Sequence, residues 1–270
     1  MNADRRCGFI RPRLSTTLFA LSIVIVAVVS GLAVTGTPVG PRAGQPVIFD
    51  EEMPPSLPSR AHPAVLFVGD SYMEGPGTSD LSFGCLAATE LGWDCNVAAQ
   101  GATGYINGGP GNRHSYGEYS RPSTAFVERL PRMRELYRAD IVVLDGGRND
   151  LQFNMTDVLR EFAYTLTQVI EAWPNSRVVV IVPWFLTEPV IRLDAFAGHT
   201  VGERFLAVLR SSPRFNKVEL IDPAALGWFA GMDIAPYLSE DGIHPNLEGH
   251  KFISHLLVKA LVDGEAVGLS

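Results

Sequence analysis

The stretch AVLFVGDSY at residues 64–72 opens with five consecutive apolar residues and breaks at a glycine. A run this short and continuous reads as a strand buried on both faces, because a strand with one wet face alternates apolar and polar residues. Four similar bursts follow: CNVA at 95–98, IVVL at 141–144, VVVIV at 178–182 and VELI at 218–221. Stretches of helical length and amphipathic pattern lie at 83–91, 125–137, 156–173, 195–210 and 247–262. Strand alternating with helix predicts a parallel sheet covered by helices on both sides. The pattern runs as one α/β domain over residues 64–270, within the usual size of a domain. Residues 104–124, rich in Gly, Ser, Tyr and Pro, read as a long irregular connection.

Upstream of residue 64 the composition changes twice. Residues 35–63 hold Pro38, Pro41, Pro46, Pro54, Pro55, Pro58 and Pro63 and read as an extended linker. Residues 1–34 contain the run LFALSIVIVAVVSGLAV at 18–34, preceded by Arg5, Arg6, Arg11 and Arg13. The run is close to the length that crosses a bilayer, and the arginines in front predict the N-terminus inside and the domain outside. Two readings stay open. One is a cleaved signal peptide, with small residues at Gly31, Ala33 and Gly36. The other is an uncleaved membrane anchor, to which the length of the run and the missing A-x-A site point. Both export the domain to the cell envelope or the extracellular space. Cys85 and Cys95 are then an even pair in an oxidising compartment, which reads as a disulfide. Two buried thiols are the alternative.

With 270 residues, 46% hydrophobic and 19% charged, the chain is globular rather than disordered or fibrous. The net charge is −7. The first thirteen residues contribute +3, so the remainder carries −10. Such a domain repels phosphate backbones, which excludes nucleic acid as a partner.

Ligands of open α/β sheets bind outside the carboxyl ends of the strands. The first burst is followed by Gly69-Asp70-Ser71-Tyr72, the second by Gln100-Gly101-Ala102-Thr103-Gly104 and the third by Asp145-Gly146-Gly147-Arg148-Asn149-Asp150. Asp241-Gly242-Ile243-His244-Pro245 precedes the last helix. Each fragment alone is an ordinary turn or cap. Together they supply a serine, an Asp and His three residues apart, a bare backbone N–H and a neutral amide. Those are the parts of a serine nucleophile with its base, its orienting carboxylate and an oxyanion hole. In a 2-1-3-4-5 sheet the tips bearing Ser71, Gly101 and Asn149 converge.

These blocks, in this order and spacing from about residue 64 to 257, resemble the SGNH hydrolases, also called the GDSL esterase/lipase family. The resemblance implies a flavodoxin-like three-layer α/β/α sandwich with a five-stranded parallel sheet, hydrolysis of acyl esters, and no cofactor or metal. It maps the nucleophile onto Ser71 and the Asp-x-x-His pair onto Asp241 and His244. It maps the oxyanion residues onto Gly101, with Gly104 as fallback, and Asn149. Tyr72 stands where the name-giving leucine would be, a position with no expected chemistry. Asp70 and Asp150 are expected to brace their turns through backbone hydrogen bonds. Trp184 and Phe185 read equally as an acyl-pocket wall or as core.

The function expected is that of an exported serine esterase acting on a small-molecule, lipid or carbohydrate ester, with the membrane as a partner only through an uncleaved N-terminus. Acyl transfer to a cell-envelope carbohydrate is a close variant. A non-catalytic binding module on this fold would lack a triad residue, and none is missing. A metal-dependent hydrolase would need a His-x-x-x-His or clustered-carboxylate motif, which the sequence does not contain.

Overall fold

Strands β1 (Ala64–Gly69), β2 (Asp94–Ala99), β3 (Ile141–Asp145), β4 (Arg177–Ile181) and β5 (Val218–Ile221) pair in parallel. The computed structural model describes residues 62–109, 124–186, 198–262 and 267–268. The apolar run at 18–34 and nearly all of the proline-rich linker therefore lie outside the described residues, as does most of the connection at 104–124. A sixth strand, β6 (Val267–Gly268), adds antiparallel to β5, so the sheet order is β2-β1-β3-β4-β5-β6. The five parallel strands and their order follow the sequence expectation; the two-residue β6 was not anticipated.

The central strands are apolar throughout because both faces are covered. Every residue of β1 and of β3 is buried. Leu66, Val68, Val142, Leu144, Val178 and Val180 point to one face, against α3 (Phe126–Leu136), α4 (Met155–Ala172) and α5 (Val201–Arg210). Val65, Phe67, Ile141, Val143, Val179 and Ile181 point to the other, against α2 (Phe83–Glu90) and α6 (Leu247–Val262). The period of two along each strand thus feeds two cores. Full burial of each such side chain stabilises by about 1.5–3 kcal/mol. The result is the three-layer α/β/α sandwich expected from the sequence.

Helix starts follow local capping chemistry. Asn154 Oδ1 accepts from the Thr156 N–H at 2.9 Å and opens α4. Thr200 and Glu203 form a reciprocal capping box that starts α5 at Val201, and residues 195–197 of the expected helix lie outside the described residues. Cys85 on α2 and Cys95 on β2 are joined by a disulfide, with Cα atoms 5.4 Å apart. The bond ties α2 to the edge strand β2.

β1 lies between β2 and β3, and the chain crosses to the opposite face after β2. That reversal opens a crevice at the carboxyl ends of β1, β2 and β3, where side chains from three connections can meet.

Candidate active site

The site begins where β1 stops. A Cβ on Gly69 would lie 2.5 Å from the Met73 Cβ, so only glycine lets the chain fold back on the strand end as α1 (Ser71–Glu74). Asp70 caps this one-turn helix, accepting from the Tyr72 N–H at 3.0 Å. Ser71 is thereby the first helical residue, held at the strand tip.

The C-terminal block folds as a tight Asx turn. Asp241 Oδ1 accepts from the N–H groups of Ile243 and His244 at 2.8 and 2.9 Å. The other oxygen, Oδ2, lies 2.6 Å from His244 Nδ1. His244 Nε2 lies 2.9 Å from Ser71 Oγ. The spacing of three residues suffices because the turn folds the carboxylate back onto the imidazole. The hydrogen bond from the His244 ring, aided by the two backbone N–H groups, holds the Asp241 carboxyl down at about 2. Asp241 and His244 are both substantially exposed, so the relay faces an open surface. Chemically it can take a proton from the serine hydroxyl and stabilise the imidazolium that results.

The second strand tip supplies a backbone donor. After β2 the Gln100 N–H donates to the Gly69 carbonyl at 3.2 Å, fixing the turn against the serine strand. Ala102 has a φ of 59°, the one positive φ at a non-glycine residue among those described. A Cβ on Gly101 would lie 3.7 Å from Ser71 Cβ. Gly104 turns elsewhere: its N–H donates to the Asn107 carbonyl, and a Cβ on it would strike the Asp150 carboxylate. Gly101, not the fallback Gly104, is thus the glycine beside Ser71.

The third tip supplies the amide. Gly147 has a φ of 99°, and a Cβ there would lie 2.5 Å from Pro183 Cγ. The turn places Asn149 Nδ2 2.9 Å from the Thr103 carbonyl and 3.3 Å from Asp70 Oδ2. Asp150 pins the loop after β2 by accepting from the N–H groups of Tyr105, Asn107 and Ile106 at 2.7, 2.9 and 3.3 Å. Burial nevertheless lifts its carboxyl to about 6, outweighing those three donors.

Several side chains at the site do more than their sequence reading assigns them. Arg148 is buried and donates to both Asp70 and Asp145. Burial alone would lower its pKa, but the two carboxylates hold it above its ordinary value. The guanidinium also lies over the rings of Tyr72, at 4.3 Å, and Trp184, at 5.1 Å. Trp184 is 2% exposed and donates to Asp145 at 3.0 Å. It belongs to the core under the site, and Phe185 packs against the opposite core. Tyr72, expected to be inert, donates its hydroxyl to the Ile243 carbonyl at 2.7 Å and meets the His244 ring edge-on at 5.6 Å. Asp70, beyond bracing its turn, is therefore one end of a buried ion-pair network.

His250 on α6 is also buried. Its Nδ1 accepts from the Phe83 N–H at 3.1 Å and its ring stacks on Phe83. Burial, with some repulsion from His244, lowers its pKa from 6.5 to about 4. A histidine depressed in the folded state favours folding above its unfolded pKa and loses that contribution as pH falls from 6.5 toward 4. The loss is on the order of 3 kcal/mol. His250→Gln retains an acceptor for Phe83 without the titration. The difference in Tm between wild type and this variant is expected to shift against the wild type across that window, measured by thermal melts at pH 7, 5.5 and 4.

Among the described residues no cluster of three or more His, Cys, Asp or Glu side chains is placed to hold a metal ion, and no helix is long and apolar enough to cross a membrane.

The chain was compared with known proteins. No curated protein matches it by sequence. Among solved structures it is similar to a family two carbohydrate esterase from Clostridium thermocellum in complex with cellohexaose. That match has a TM-score of 0.53 and 18% identity, covering 75% of this chain and 64% of that one. It is similar to a carbohydrate esterase family 2 enzyme with a carbohydrate binding domain from Corynascus thermopiles (Myceliophthora fergusii). Here the TM-score is 0.54 at 18% identity, over 78% of this chain and 68% of that one. A salicylyl acyltransferase from a tetracycline biosynthetic pathway matches at a TM-score of 0.53 and 16% identity, over 78% and 57%. The chain thus spans just under two thirds of the length of the Clostridium enzyme, and these likenesses carry the fold alone. The family model described as GDSL-like lipase/acylhydrolase matches residues 67–252. By that match the chain belongs to the GDSL-like lipase/acylhydrolase family.

Proposed function

We propose that this protein is an exported serine esterase that removes short acyl groups from carbohydrate esters through an acyl-enzyme. The observation that carries the reading is the unbroken relay from Asp241 through His244 to Ser71, at 2.6 and 2.9 Å. Ser71 Oγ attacks the ester carbonyl and His244 Nε2 takes its proton. His244 then protonates the leaving alkoxide, and water repeats the cycle on the acyl-enzyme. Asp241 fixes the tautomer with the proton on Nδ1 and stabilises the imidazolium. The Ser71 N–H, the Gly101 N–H and the Asn149 amide hold the oxyanion. For Asn149 the long 3.3 Å contact to Asp70 is the one given up, while the 2.9 Å bond to Thr103 keeps the amide oriented.

Three features favour a short acyl group on a sugar over a lipid. The relay is exposed. Trp184, which could have walled an acyl pocket, is part of the core. The structural neighbours include carbohydrate esterases. Acyl transfer is the second reading, favoured by the likeness to the salicylyl acyltransferase. An open site also admits a hydroxyl acceptor in place of water. Export rests on the arginine cluster ahead of the apolar run and on the Cys85–Cys95 disulfide. The domain division at residues 34 and 63 belongs to the same reading.

The test is labelling with a fluorophosphonate, followed by identification of the modified peptide and by kinetics on p-nitrophenyl acetate against long-chain esters. Modification of Ser71 and a preference for acetate are expected. Failure to modify Ser71 overturns the esterase, and a long-chain preference overturns the carbohydrate ester. Asn149→Ala is expected to lower kcat by on the order of 10²–10³, the loss typical of one oxyanion donor, with KM little changed.

A further inference from the structure

One contact in the site opposes the chemistry proposed for it. The Gly101 N–H, assigned above to the oxyanion, donates at 2.9 Å to Glu74 Oε1. Glu74 ends α1, three residues after Ser71, so its side chain rises on the same side of the helix as the serine. Its second oxygen is close as well: a Cβ on Gly101 would lie 3.2 Å from Glu74 Oε2. The carboxylate has the shape of the acid released by ester hydrolysis and carries the charge of the oxyanion. A backbone N–H has one hydrogen, and it cannot serve both an incoming carbonyl and Glu74 at full strength.

A second seat for the carboxylate lies in the same corner. Arg129 on α3 donates Nη2 to the Gly69 carbonyl at 3.1 Å, the carbonyl that also accepts from Gln100 beside Gly101. Arg129 Nε and Nη1 are buried with no hydrogen-bond partner among the described residues. Unpaired buried donors on a charged group are costly, and a carboxylate would relieve that cost. Burial draws the Arg129 pKa down to about 10, and the negative charges of Asp70 and Glu74 oppose that fall.

We propose that Glu74 is the resting occupant of the oxyanion site and moves from Gly101 to Arg129 when an ester carbonyl enters. The proposal rests on the serine-esterase reading and adds a determinant of specificity to it. A neutral ester displaces Glu74 and gains Gly101, Asn149 and the Ser71 N–H together. A free carboxylate must compete with a carboxylate already tethered at high local concentration and is repelled by its charge. Wild-type enzyme is thereby protected from inhibition by its own acid product. No covalent bond is made or broken in the movement.

The experiment compares wild type, Glu74→Ala, Arg129→Met and the double variant, measuring kcat/KM on p-nitrophenyl acetate and the inhibition constant of acetate. If Glu74 occupies Gly101 most of the time, its removal raises kcat/KM by about three- to tenfold, since apparent affinity scales with the competent fraction. Acetate inhibition tightens by a larger factor, because the anion is freed from charge repulsion as well as from competition. Arg129→Met lowers kcat/KM more when Glu74 is present than in the Glu74→Ala background, where only its bond to the Gly69 carbonyl is lost. An unchanged or lower kcat/KM for Glu74→Ala, with acetate inhibition unmoved, overturns the proposal and leaves Glu74 as a brace for the Gly101 turn. Glu74→Ala decides the matter alone if Arg129→Met does not fold. Failure of the esterase reading is seen separately, as wild-type protein that neither hydrolyses the ester nor labels at Ser71.

Discussion

Ser71→Ala is expected to lower kcat on p-nitrophenyl acetate by on the order of 10⁴–10⁶ while leaving Tm essentially unchanged. The asymmetry between the two readouts follows from the environment of the hydroxyl. Ser71 Oγ meets His244 Nε2 at a partly open surface, so its loss strands no buried group. The fold of α1 depends on Asp70 as its cap and on Gly69 for clearance, neither of which is touched. The residual rate reports binding and the oxyanion donors alone. Asp241→Asn is the companion variant. Its amide oxygen can still accept the Ile243 and His244 N–H groups, so the turn survives. Its amide nitrogen facing Nδ1 stabilises the wrong tautomer, and the loss expected is about 10⁴. Because Asp241 stays ionised down to about pH 2, no acidic limb of kcat/KM above pH 3 belongs to it. Undiminished hydrolysis by Ser71→Ala would remove the nucleophile from its role.

The strands were legible because burial on both faces forces an unbroken apolar run, and AVLFV, IVVL and VVVIV have no other economical explanation in an α/β chain. The order of the sheet came with the resemblance to a flavodoxin-like sandwich, because crossover connections fix handedness and not which strands are neighbours. β6 was not legible, since two residues pairing at an edge leave no periodic trace. Ser71, Gly101 and Asn149 could be picked out because each stands in a turn that follows an apolar burst, and Asp241 and His244 because they stand three apart in a turn before the last helix. Their meeting at one crevice is a consequence of strand order. The residues beneath them were opaque for a physical reason. Arg148 looked like one more turn residue, and only the approach of Asp70, 78 residues away, makes it a buried ion-pair partner. Tyr72 was discounted because it departs from a name-giving leucine, yet its hydroxyl reaches Ile243, 171 residues on. Glu74 meets Gly101 across 27 residues through a contact that depends on how two loops fold. Local pattern shows which residues bear chemistry; long-range pairing shows what holds or obstructs them.

Arg148→Met is expected to destabilise the domain by about 3–5 kcal/mol, the cost of removing one partner from a buried ionic group. Wild-type Arg148 neutralises two carboxylates, Asp70 and Asp145, both of which are inaccessible to solvent. Methionine fills the volume and keeps the apolar contact with Tyr72 and Trp184, but it leaves two like charges facing each other without water. For a domain of this size each kcal/mol lowers Tm by roughly 2–4 °C, so a fall of roughly 6–20 °C follows. Arg148→Lys retains the charge and loses the planar fork, and should lie between the two. Combining Arg148→Met with Asp70→Asn and Asp145→Asn removes the stranded charges, and recovery of part of the lost Tm identifies them as the cause. Activity measured well below each melting point separates positioning from stability. Asp70 caps the helix that begins with Ser71, and Tyr72 is seated under the guanidinium and against the His244 ring. The network therefore joins Ser71 to His244 from below. The triple variant, stable but with a neutral and differently bonded floor, is expected to keep a lowered kcat with KM little changed, whereas full activity on regaining stability would confine Arg148 to holding the fold.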